Sequence, residues 1–192
     1  MMRYVTLAIL AVVAGAVGWV AFDWYRTLAG EDAYGAPFEL VDQKGQAITQ
    51  ADFRAQSSAV FFGFTHCPEV CPTTLFELDG WLKELGDDGK NIRAFFVSVD
   101  PERDTPEIMD QYDSTVSDRI TGVTGDPADV AAMAKSFNIY SKKIETEGGD
   151  YTMDHTASVL LLDKGGAFAG TIAYQESPET ALAKLKRLAE GA

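Results

Sequence analysis

Apolar runs and polar breaks divide this chain into elements of alternating type. Residues 59–64, Ala-Val-Phe-Phe-Gly-Phe, are an unbroken apolar run, the mark of a strand buried on both faces. Residues 92–99 predict a second buried strand, ended by Asp100-Pro101. Between them Pro72 suits the start of a helix, and Leu75, Leu78, Leu82 and Leu85 recur at helical spacing. Upstream, residues 38–42 and 47–49 flank Gln43-Lys44-Gly45-Gln46 and predict a β-hairpin. Three further helix starts show a capping residue followed by proline: Thr105-Pro106, Asp126-Pro127 and Ser177-Pro178. These helices are predicted to run to Tyr112 or beyond, to about Phe137 and to near Glu190. Residues 120–124 predict a short strand. Residues 157–162 predict another, turned back through Asp163-Lys164-Gly165-Gly166 into residues 168–174. The polar stretch 141–150 predicts a loop, which Gly148-Gly149 would allow to move.

The order is hairpin, β-α-β-α, short strand and helix, hairpin, closing helix. It predicts an α/β domain over residues 38–192, with a thioredoxin-like central sheet covered by helices on both faces. Active groups in such open sheets lie just past the carboxyl ends of the strands. Residues 27–37 predict a linker.

Residues 1–26 predict a membrane anchor. Residues 5–22 carry no charge and are just long enough to cross a bilayer as a helix. Arg3 precedes them and Asp23 follows, which sends the domain outward, although Arg26 weakens the bias. Trp19, Trp24 and Tyr25 suit the far interface. Ala14-Gly15-Ala16 resembles a signal-peptide cleavage site, but cleavage there would leave an apolar end on a soluble protein. An uncleaved anchor is therefore expected. No cysteine lies nearby for lipid attachment, and no Arg- and Ser-rich transit peptide precedes the segment. A bacterial inner membrane is expected, with the domain facing the periplasm.

The formal net charge is −13. Nucleic acid is thereby disfavoured as a partner, because phosphate binding needs a basic surface. The acidic surface serves solubility and could also meet a basic partner or a cation.

The chain has two cysteines and two histidines. His66, Cys67 and Cys71 share the stretch Gly63-Phe64-Thr65-His66-Cys67-Pro68-Glu69-Val70-Cys71-Pro72, directly after the first central strand. Cys71 precedes a proline and is expected at or before a helix cap. Its sulfur would lie near the positive end of a helix dipole, which favours thiolate. Export puts the pair in an oxidising compartment, so use as ligands would need a reductant.

Two thiolates suit copper(I); an added imidazole gives a trigonal site that could also hold copper(II). His155 is the candidate, at the entrance to the strand near Ala157 and opposite the cysteine loop in the expected topology. A lone histidine is more often a surface or capping residue, but the topology here favours ligation. Asp154 would either orient the imidazole or only shape a turn. The His66 side chain is expected to point away from the loop centre. Two departures count against a general disulfide exchanger: the spacing is Cys-x3-Cys, and no proline lies between Pro127 and Pro178 to face the pair.

With these residues in view, the chain resembles the SCO/SenC family of copper-binding cytochrome c oxidase assembly factors. The resemblance rests on the stretch 63–72, on Val97-Ser98-Val99-Asp100-Pro101-Glu102-Arg103-Asp104-Thr105-Pro106-Glu107, and on Asp154-His155-Thr156. It implies Cys67, Cys71 and His155 as copper ligands and a thioredoxin-like fold. It also implies delivery of copper, or of reducing equivalents, to the binuclear copper site of oxidase subunit II, directly or through other assembly factors. A monomer is expected. The stretch 100–107 is taken as strand ending and helix capping, with no catalytic role. The expected activity is therefore a membrane-anchored copper chaperone with no catalytic residue. The alternative is a thiol-disulfide oxidoreductase that needs only the redox pair Cys67 and Cys71. A thiol peroxidase is a third reading.

Overall fold

The structure is a computed structural model that describes residue 13 and residues 15–21 and 33–191. It divides into two units, residues 1–33 and 34–192. In the first, Val13 and residues 15–21 are helical and exposed. Most of the expected anchor, and residues 27–32 of the linker, lie outside the described residues. Among the described residues no helix is long and apolar enough to cross a membrane.

The second unit holds nine strands: β1 (Glu39–Asp42), β2 (Ala47–Thr49), β3 (Ser57–Gly63), β4 (Ile92–Ser98), β5 (Ile120–Thr124), β6 (Ser141–Glu145), β7 (Tyr151–His155), β8 (Val159–Leu162) and β9 (Phe168–Ile172). Its helices are α1 (Gln50–Arg54), α2 (Val70–Glu84), α3 (Pro106–Val116), α4 (Pro127–Ser136) and α5 (Pro178–Glu190), with a 3-10 turn at Asp88–Asn91. The main sheet has the order β2-β1-β5-β4-β3-β8-β9. Strands β3, β4 and β5 are parallel, and β1, β8 and β9 join antiparallel.

Strands β3 and β4 carry apolar residues at consecutive positions because both their faces are covered. Phe61 and Phe96 are register partners and stack at 6.1 Å, and Phe96 meets Tyr112 of α3 at 5.6 Å. On the opposite face Phe95 stacks on Phe53 of α1 at 4.0 Å, and Phe62 meets Phe137 at the end of α4. Neighbouring residues thus feed different layers, as the two-residue strand period requires.

Three local expectations need correction. Helix α1 was not expected from the sequence; Thr49 and Asp52 close a capping box at its start. The stretch 141–150 is not a loop. It holds β6 and the turn into β7, a two-stranded ribbon outside the main sheet. All five residues of β6 are exposed, so the strand carries no apolar alternation to announce it. Cys71 lies in the first turn of α2 rather than at or before its cap, which is Glu69. Pro72 is then the third helical residue, where a missing N–H leaves no intrahelical bond unmade.

Candidate metal centre

The chain leaves β3 at Gly63, turns so that the Cys67 amide donates to the Phe64 carbonyl at 3.3 Å, and enters α2. Gly63 makes room for the site. A Cβ there would stand 2.8 Å from Cys71 Sγ and 2.9 Å from the Phe61 ring. Cys71 is fully buried and Cys67 is half-buried. The Cys71 backbone N–H, an unpaired donor of the first helical turn, points at Cys67 Sγ from 3.3 Å.

These surroundings drive the two sulfurs apart in acidity. A hydrogen bond from the Cys71 thiol, with smaller help from the Cys71 and Glu69 amides, holds Cys67 down at about 4 against the effect of burial. The same bond, and burial, push Cys71 far above the usual thiol range. The pair keeps one proton, on the buried sulfur, and presents a thiolate at the half-exposed one.

His155 ends β7. Its Nε2 lies 3.6 Å from Cys71 Sγ, and its Nδ1 lies 3.0 Å from the Thr156 carbonyl oxygen. A carbonyl only accepts, so Nδ1 carries the hydrogen and the Nε2 lone pair faces the sulfurs. Phe61 and Phe64 hold the ring edge-on, with centroids 6.0 and 5.7 Å away. The two Sγ atoms and one histidine nitrogen all lie within 4.8 Å of one another. A three-coordinate ion with bonds of about 2.0–2.3 Å would separate its ligand atoms by roughly 3.5–4 Å. A contraction of about 1 Å or less therefore closes the group around one soft ion.

Two sequence candidates fall outside this group. The His66 side chain is 52 % exposed, with Nδ1 at 3.0 Å from the Thr65 hydroxyl and 3.9 Å from Asp104. It points away from the centre, as expected. Asp154 is exposed and adjacent to His155 on a strand, so the two side chains leave on opposite faces. The group that orients the imidazole is the Thr156 carbonyl, not Asp154.

Residues 26–190 match the profile of the SCO1/SenC family. The chain belongs to the SCO1/SenC family. It is similar to the copper-bound structure of ScoI from Bradyrhizobium japonicum, with 46 % identity and a TM-score of 0.75 over 81 % of this chain and 99 % of that one. It is 33 % identical to Protein SCO2, mitochondrial, from Saccharomyces cerevisiae, over 82 % of this chain and 53 % of that protein. The chain spans about half the length of the first curated relatives it matches. BsSco, whose structure is described by a disulfide switch and by membership of the Sco family of cytochrome c oxidase assembly proteins, matches with a TM-score of 0.66 over 83 % of this chain and 95 % of that one. At 23 % identity that likeness speaks for the fold alone.

Sequence reasoning missed the supports of this SCO1/SenC centre. Asp104 is fully buried. Its carboxylate accepts from the Thr65 hydroxyl at 2.6 Å, the Thr65 amide at 3.2 Å and the Ser98 hydroxyl at 2.6 Å. Burial pushes its pKa up. Asp104 thereby ties the cysteine loop to the end of β4. On the other side, Asp100 accepts from the Tyr151 hydroxyl at 2.9 Å, and Arg103 Nη1 donates to the Tyr151 carbonyl at 3.0 Å. The signal was available: Asp-Pro-Glu-Arg-Asp follows the carboxyl end of a central strand, where functional groups gather. Its partners are distant in sequence, and spacing alone does not name them.

Proposed function

We propose that this protein is a copper chaperone, with Cys67, Cys71 and His155 as the ligands of one copper ion. The observation that carries the reading is the convergence of both sulfurs with an imidazole nitrogen whose lone pair faces them. Thiolate and imidazole together suit copper in either oxidation state. The copper-bound Bradyrhizobium relative supports the choice of metal. The recipient is the binuclear copper site of cytochrome c oxidase subunit II, reached directly or through other assembly factors. Residues 5–22 anchor the protein in a bacterial inner membrane and leave the domain in the periplasm. Half-buried Cys67 is the sulfur a recipient's cysteine meets first, and ligand exchange starts there.

The test is titration of the reduced protein with copper. One equivalent should bind, and copper(II) should give an intense thiolate charge-transfer band. No tight binding, or binding that survives loss of both cysteines, would refute the reading.

A second reading is favoured by the asymmetry of the sulfurs. Cys67 thiolate would attack a partner disulfide, and Cys71, after losing its proton, would displace the partner's second thiolate. The partner ends as a dithiol and Cys67–Cys71 as a disulfide. This reading needs no imidazole. Full oxidase assembly in a His155→Ala strain would favour it over the chaperone.

A further inference from the structure

Strand β7 presents Tyr151, Met153 and His155 on one face. Each finds a different partner on the body of the domain. His155 meets Cys71, Met153 packs against the core, and Tyr151 enters a charged cluster on residues 100–103. The Tyr151 ring is sandwiched between the Arg103 guanidinium at 3.7 Å and the Lys143 ammonium at 3.8 Å. Arg103 also pairs with Asp100 at 2.5 Å, and Lys143 pairs with Glu102 at 2.6 Å. Each member of the cluster is bonded to the next.

The rest of the ribbon has little else to hold it. Strand β6 is exposed throughout, and among the described residues β7 pairs with β6 alone. A pocket of about 210 Å³, open to solvent on one side, lies against it, lined by Val99, Val130, Ala134, Ser141 and Met153 among others. Met153 is the ribbon's apolar contact with the core, and next to it the ribbon borders open space, so its position depends strongly on its polar attachments.

We infer that Arg103 and Tyr151 are positioning residues for His155: they latch the β6–β7 ribbon to the loop after β4 and so set the distance from the imidazole to the two sulfurs. The inference rests on the copper reading above for its consequence, and on geometry alone for the latch. The same short loop holds both halves of the site, through Asp104 to the cysteine loop and through Asp100 and Arg103 to the ribbon. Opening the latch would withdraw the imidazole and leave an ion on two thiolates, a donor set that keeps copper(I) and loses copper(II).

The experiment uses the full chain as Arg103→Lys, Tyr151→Phe and the parent, with His155→Ala as reference. Arg103→Lys keeps the charge beside Asp100 but loses the planar fork; Tyr151→Phe keeps the ring but loses the hydroxyl. Hydrogen exchange of the reduced, metal-free protein should quicken by about tenfold in the β6–β7 amides and stay unchanged in α5. Copper(II) affinity should fall by roughly tenfold, as for partners that orient a metal-bound histidine. Copper(I) affinity should stay within about twofold. Unchanged ribbon exchange, or equal losses for the two oxidation states, would overturn the latch. If the parent and His155→Ala bind copper(II) alike, it is the ligand reading that fails, and the exchange measurement alone decides the latch by the same tenfold criterion.

Discussion

Asp104 holds Thr65 by both carboxylate oxygens, the hydroxyl on one and the backbone amide on the other. Thr65 stands two residues before Cys67, so this contact fixes where the cysteine loop leaves β3. Asp104→Ala would leave the fully buried Ser98 hydroxyl without its acceptor and take the carboxylate away from the half-buried Thr65 amide and hydroxyl. The loss should be about 3 kcal/mol of folding free energy, measured by urea denaturation of the reduced protein. A loss below about 1 kcal/mol would show that water replaces the carboxylate.

Cys67 should react first with alkylating agents. Its thiolate is held down at about 4 by the Cys71 thiol and nearby donors, while Cys71 is fully buried. Peptide mapping after limited iodoacetamide treatment should find the label on Cys67. The rate should be flat between about pH 6 and pH 8, where an ordinary thiol quickens about tenfold per unit. A rate that climbs with pH through this range would show that no such thiolate is present.

Gly63→Ala tests the space kept for the Cys71 sulfur. The added methyl would meet Cys71 Sγ at 2.8 Å and the Phe61 and Phe96 rings at 2.9 and 3.0 Å. All three neighbours are fully buried and cannot move aside freely. The variant should lose about 1–3 kcal/mol of stability. It should also hold copper more weakly than its stability loss alone explains, by comparison with a core variant remote from the site. Parental affinity and stability would mean that the sulfur has room to shift.

Asp113 should make the domain less stable as pH rises. Its carboxyl is 3 % exposed and is pushed up to about 7, chiefly by burial and then by Asp110, against a smaller opposing pull from the Gly122 amide. The folded-state value lies above the unfolded one, so the folded protein holds a proton that the unfolded chain releases. The benefit is complete below about pH 4 and is lost as pH climbs to about 7, on the order of 4 kcal/mol in all. Asp113→Asn should flatten this slope and be the more stable protein at pH 8. Identical pH profiles for the two proteins would remove Asp113 as the cause.

The legible parts of the sequence were those where one local rule dominates. Strands β3 and β4 announced themselves because both faces are buried, and the alternating partners of Phe61 and Phe62 show why apolar residues stand at consecutive positions along them. The caps at Thr105, Asp126 and Ser177 were legible because each side chain bonds an amide two or three residues ahead. The β6–β7 ribbon was not legible, since a strand wet on both faces has no pattern to read. Neither was the role of residues 100–104, whose partners Thr65 and Tyr151 lie 39 and 51 residues away along the chain from Asp104 and Asp100. The cysteines and His155 could be grouped from topology. The carbonyl that sets the imidazole's tautomer is a feature of backbone geometry that composition does not encode.

The most direct test of copper ligation by Cys67, Cys71 and His155 is copper K-edge X-ray absorption of the copper(II)-loaded protein and of its His155→Ala variant. The parent should show a shell of two sulfurs and one imidazole nitrogen, and the variant should keep the sulfurs and lose the imidazole signature. A parent shell without sulfur, or an imidazole signature that persists in the variant, would contradict this assignment.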